Sequence, residues 1–162
     1  MPASLDSQAA LIDSWVENGR LKWEKPLAGE REPQYSGRVL VPRLQWLKSM
    51  ESGFSAVIKG DGPGQQGCDP IFLGGKRFIP DISVIHQSGF RLAVEVKYFD
   101  GSSAKLKEAL GQAVIYLAGN YDSARVFLIS VNGEAHFSDG DLARINRSID
   151  GNRFVVHEIS NP

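Results

Sequence analysis

Two carboxylates and an ammonium are spaced so that a single turn of the chain can bring them together. Asp81 follows Pro80, and after thirteen intervening residues comes Glu95-Val96-Lys97. On a strand, residues two apart project from the same face, so Glu95 and Lys97 share one side. Leu92, Val94 and Val96 then take the opposite side and anchor the strand in a core. Two apolar runs, residues 77–85 and 90–99, flank His86-Gln87-Ser88-Gly89, and Ser-Gly is a turn signal. A β-hairpin is expected there. Turning at Gln87-Ser88 or Ser88-Gly89, it sets Asp81 opposite residues 94–96, within one position of Glu95. Paired acids on adjacent strands suit a hard divalent cation such as Mg²⁺ or Mn²⁺, which takes oxygen ligands. Such an ion polarises a phosphate oxygen and lowers the pKa of bound water. Lys97 beside it can orient that water or stabilise charge developing on a phosphate. The alternative is a cross-strand salt bridge of Lys97 with Asp81 or Glu95 on a solvated face.

The chain must supply the scaffold for these groups. Its 162 residues fit a single domain, 42% hydrophobic and 23% charged, an ordinary composition for a folded protein. Apolar spacing predicts helices over residues 5–18, 39–50, 104–117 and 139–149. Strands are expected over residues 54–59, 77–85, 90–99, 125–131 and 153–159. Residues 20–37 are expected to form a loop. Residues 60–75, with six glycines and two prolines, are expected to form a second, longer one. The element order predicts an α/β fold in which helices flank a central mixed β-sheet.

Pro80-Asp81 followed by Glu95-Val96-Lys97 resembles the signature of the PD-(D/E)xK nuclease superfamily, the restriction-endonuclease-like fold. The order of elements, with a hairpin bearing the triad between helices, is similar too. The resemblance covers residues 39–131 as the core, with residues 5–37 as an N-terminal helical extension of one domain spanning 1–162. Gln112 and Tyr116 resemble the Gln-x-x-x-Tyr motif of the RecB-like branch. With Leu106, Leu110, Ala113, Val114 and Leu117 taken as the buried stripe, Gln112, Tyr116 and Lys105 form a flanking polar row suited to reaching DNA or the rim of the acid site. The resemblance implies a metal-dependent nuclease hydrolysing DNA phosphodiester bonds. Asp81, Glu95 and Lys97 are then catalytic, Asp81 and Glu95 holding Mg²⁺ or Mn²⁺. The alternative is a nuclease-fold domain without catalysis, serving as a nucleic-acid-binding or assembly module.

The chain departs from the pattern at one place. Many members of that superfamily carry an acid in the first core helix, yet residues 33–50 contain no Asp or Glu. Glu30, Glu32, Glu51 and Asp69 are the alternatives. Eighteen Lys and Arg balance nineteen Asp and Glu, so no bulk positive field exists to hold nucleic acid. A dimer or larger complex is expected to supply much of the grip. Arg38, Arg43 and Lys48 offer a basic helix side that is either a phosphate contact or a solvated face. The three histidines lack ligand spacing, which argues against zinc. Cys68 is the sole cysteine, and no apolar run approaches membrane-spanning length. A cytoplasmic protein without membrane insertion is expected.

Overall fold

The structure is a computed structural model that describes residues 5–19, 23–50, 53–60, 68–149 and 153–162; for residues 5–9, 47, 50, 54, 55, 58 and 59 only the backbone is described. Five strands form one sheet: β1 (Phe54–Lys59), β4 (Ile82–His86), β5 (Arg91–Phe99), β6 (Ser123–Ser130) and β7 (Phe154–Ile159), in the order β1-β4-β5-β6-β7. β4 pairs antiparallel with both β1 and β5. β6 and β7 continue in parallel from β5. Each parallel step needs a crossover, supplied by α4 (Ser103–Ala118) and α5 (Asp139–Ile149). The α/β class with a mixed sheet flanked by helices is therefore as the sequence predicts.

Alternation along β5 divides the core into two layers. Leu92, Val94 and Val96 join Phe127 and Ile129 of β6 under the N-terminal helices, among them Ile12 and Trp15 of α1 (Leu5–Glu17). On the other face Ala93 and Phe99 join Val126, Leu128, Phe154 and the α4 residues Ala109, Ala113 and Tyr116. β6, with helices over both faces, is buried at all eight positions. Packing extends beyond the expected core of residues 39–131 in both directions, because β7 completes the sheet and α1 completes one layer.

Three boundaries differ from the sequence expectation. The segment before residue 39 is helical from α2 (Glu32–Tyr35), continues through a π-helical turn (Ser36–Leu40) and passes into α3 (Val41–Met50). Pro33 lies in the first turn, where its missing N–H costs nothing. Pro42 lies farther in, where a proline ring crowds the preceding turn; the wide turn just before it accommodates that crowding. The expected strand 77–85 is split into β3 (Lys76–Phe78) and β4, broken at Ile79-Pro80 where proline cannot donate to a ladder. β3 pairs instead with β2 (Ile71–Leu73) as a separate two-stranded ribbon inside the expected glycine-rich loop. Its turn is Gly74-Gly75, with φ of 57° and 73°, the left-handed values that a tight two-residue hairpin requires. Residues 61–67 of that loop lie outside the described residues.

Candidate active site

The β4–β5 hairpin has the register that brings the acids together. Ile82 pairs with Val94, Ser83 with Ala93 and Val84 with Leu92. Asp81, one step before the ladder, therefore reaches the level of Glu95. The Val96 backbone N–H donates to Asp81 Oδ2 at 2.6 Å, clamping one carboxylate onto the strand that carries the other. Gly60 holds the approach from the far side. Its N–H donates to the Asp81 carbonyl at 2.9 Å, and a Cβ at residue 60 would overlap the Pro80 carbonyl oxygen.

Glu95 is 2% exposed. Its Oε2 accepts from the Tyr116 hydroxyl at 2.8 Å, and its Oε1 lies 3.5 Å from Lys97 Nζ. Burial pushes its pKa up from 4.5 to about 8, and the charge of Asp81 pushes the same way; Lys97 and Tyr116 only partly oppose them. A buried carboxyl raised by desolvation and by a neighbouring acid marks a site short of positive charge. Those residues fit a divalent cation, because an ion ligated by carboxylate oxygens would restore the charge that burial removes.

Lys97 is the counterpoise. Besides Glu95 it meets Glu108 of α4 at 3.1 Å and Glu32 of α2 at 3.6 Å. Burial pulls its pKa down, but Glu95, Glu32 and Glu108 together outweigh that and hold it above the usual lysine range. Lys97 is thus an ammonium at any working pH: a donor and a positive charge, not a proton acceptor.

Of the described acids that the sequence left open, Glu32 is the one that lies beside Lys97. It sits on the helical segment that leads into α3, and its Oε1 accepts the Tyr98 N–H at 3.0 Å while its Oε2 faces Lys97. Glu30 is engaged elsewhere, by Arg38 at 2.6 Å, and Asp69 pairs with Arg91. Glu51 lies outside the described residues. The signal for Glu32 was Pro33, a residue favoured in a helix's first turn, within a stretch otherwise rich in loop formers.

The buried stripe of α4 needs correction. Ala109, Ala113 and Tyr116 are its fully buried positions, whereas Val114 is 46% exposed, so the helix is rotated relative to the expected stripe. Tyr116, at 1% exposure, does not reach the surface. Its hydroxyl serves Glu95 and lies 3.1 Å from the Ile79 carbonyl, tying both edges of the hairpin to α4. Burial, then the nearby Glu95 charge, raises its pKa and keeps it a donor. Gln112 is half-buried, its Oε1 enclosed without a hydrogen-bond partner. Lys105 is held by Asp100 at 3.0 Å, near the helix start. Two of the three basic residues expected on that helix side are also paired internally, since Arg38 and Arg43 both contact Glu24.

Among the described residues no cluster of three or more His, Cys, Asp or Glu has metal-site geometry, and no helix is long and apolar enough to cross a membrane. Compared with protein families, curated proteins and solved structures, the chain matches none. The functional reading therefore rests on the site itself.

Proposed function

We propose that this protein is a metal-dependent nuclease of the PD-(D/E)xK type, hydrolysing phosphodiester bonds of DNA. The observation that carries the reading is Glu95: a buried carboxyl, pushed up to about 8 by burial and Asp81, with a lysine 3.5 Å away. A protein gains no stability from burying such an acid beside a second one, whereas a cation-binding site needs that arrangement. Asp81 and Glu95 would hold Mg²⁺ or Mn²⁺, which when bound supplies Lewis-acid polarisation of the phosphate and a more acidic water.

The chain's own groups have distinct duties. Asp81 is oriented by the Val96 N–H, and Glu95 by the Tyr116 hydroxyl. Hydrolysis joins a water oxygen to phosphorus and breaks one P–O ester bond, building negative charge on the phosphate oxygens. The Lys97 ammonium opposes that charge and orients the water by donation. Glu32 and Glu108 keep Lys97 charged and aimed while substrate is absent.

The test is a cleavage assay with Mg²⁺ or Mn²⁺ on linear, nicked, branched and single-stranded DNA, beside calorimetric titration with Mn²⁺. Cleavage that requires the metal, with Asp81→Asn and Glu95→Gln losing both metal binding and cleavage, is the expected result. A wild-type protein that binds metal but cuts none of these substrates supports the non-catalytic module instead.

A further inference from the structure

The β2–β3 ribbon projects beside the site, and its tip is unlike the rest of the surface. Phe72 is 68% exposed and Leu73 54%, two of the most exposed large apolar side chains among the described residues. Each stands opposite a cation: Phe72 pairs with Arg77 and Leu73 with Lys76, both exposed. Residues 71–78 contain two positive charges and no acid.

The base of the ribbon is fixed. Ile71, 8% exposed, packs in the α4-side core, and a Cβ at Gly119, the end of α4, would overlap its side chain. Phe78 packs on the same cluster. Only Ile79 and Pro80 separate β3 from Asp81, and the Ile79 carbonyl lies 3.1 Å from the Tyr116 hydroxyl that holds Glu95. The base of the ribbon is therefore anchored next to the acid site.

We propose that this ribbon is the nucleic-acid grip of the site, Phe72 stacking on an unpaired base while Arg77, its partner on the same face, holds a flanking phosphate. An exposed aromatic face beside cations matches the two demands of single strands: a flat surface for the base and positive charge for the backbone. A paired base presents only its edges, so the ribbon selects single-stranded or frayed DNA over intact duplex. A second copy of this chain is disfavoured as occupant, since a symmetric contact would bring Lys76 and Arg77 near their own counterparts. This inference rests on the nuclease reading for its choice of DNA, but it concerns a different surface.

The test uses fluorescence anisotropy of the full chain with labelled single-stranded, splayed and blunt duplex oligonucleotides, in EDTA to prevent cutting. Phe72→Ala/Arg77→Ala should weaken binding to the single-stranded and splayed probes by at least about fivefold, the low end for one stacked base. Blunt duplex should change less, and the thermal shift with Mn²⁺ should be unaltered. Equal binding by variant and wild type, or equal losses on all three probes, overturns the proposal. A wild-type oligomer that becomes monomeric in the variant also overturns it, in favour of self-association. Single-strand binding that the variant loses, by a protein that never cleaves, supports the grip while refuting the nuclease. Cleavage unaffected in the variant, with binding also unaffected, refutes the grip alone.

Discussion

Glu95 concentrates the energetic oddity of the molecule in one side chain, and its consequences are measurable. Its ordinary pKa is 4.5 and its folded value about 8, so between those values the folded state alone keeps the proton. The stability it contributes is complete below about 4.5 and is lost as pH rises through about 8. Glu95→Gln should therefore flatten the fall in stability between about pH 4.5 and pH 8, as read from urea midpoints in metal-free buffer. Metal binding must displace that proton, so the thermal shift produced by Mn²⁺ should grow over the same interval. A second residue adjusts the first. Tyr116→Phe removes a buried hydrogen bond and should cost on the order of 1–3 kcal/mol. Because that bond lowers the Glu95 pKa, the pH dependence of Mn²⁺ affinity should move upward in the variant, a change that mere loss of packing would not cause.

The hairpin shows what a sequence makes legible at the level of elements. Ser88-Gly89 closes a turn, a two-residue period places side chains on faces, and together they fix a register that brings Asp81 to Glu95. Those are local rules. Glu32 is 66 residues from Tyr98, whose N–H it accepts, and no local rule could pair them. The face of α4 departs from the expected stripe for a related reason: its leucines suggest one face, whereas Tyr116, which meets Glu95 across 21 residues of sequence, lies in the core. Two strands of three residues each fell below what periodicity can detect, although Gly74-Gly75 marked their turn. The loop before the hairpin yields its own prediction. Gly60→Ala would drive a Cβ into the Pro80 carbonyl, and relief must come from backbone next to Asp81. A destabilisation of roughly 1–3 kcal/mol is expected, with weaker Mn²⁺ binding by calorimetry.

Across the whole molecule, the helical layer is fastened to the sheet by charge as well as by packing. Arg125 on β6 is 1% exposed, and its guanidinium donates to both oxygens of Asp13 on α1, at 2.8 and 2.9 Å. His157 of β7 lies 2.8 Å from the same carboxylate. Burial raises the Asp13 pKa, but the His157 hydrogen bond and the Arg125 charge outweigh it and hold the carboxyl below its ordinary value. Asp13→Ala would leave a buried guanidinium without its main partner and should cost about 3–5 kcal/mol in urea unfolding. Cleavage by the surviving folded fraction should be unchanged, because this network lies on the opposite face of the sheet from Glu95 and Lys97.

Lys97 links the whole account, since a nuclease site and a buried salt-bridge cluster differ most in what its ammonium does. The direct measurement is the single-turnover rate of DNA cleavage at saturating Mg²⁺ for wild type and Lys97→Ala. A group that opposes charge on the reacting phosphate should cost on the order of 10²–10³ in rate when removed. Metal affinity should be unchanged or raised, since a neighbouring positive charge has gone. Equal rates in the two proteins would contradict the assignment and leave Lys97 a partner of Glu95, Glu32 and Glu108 alone.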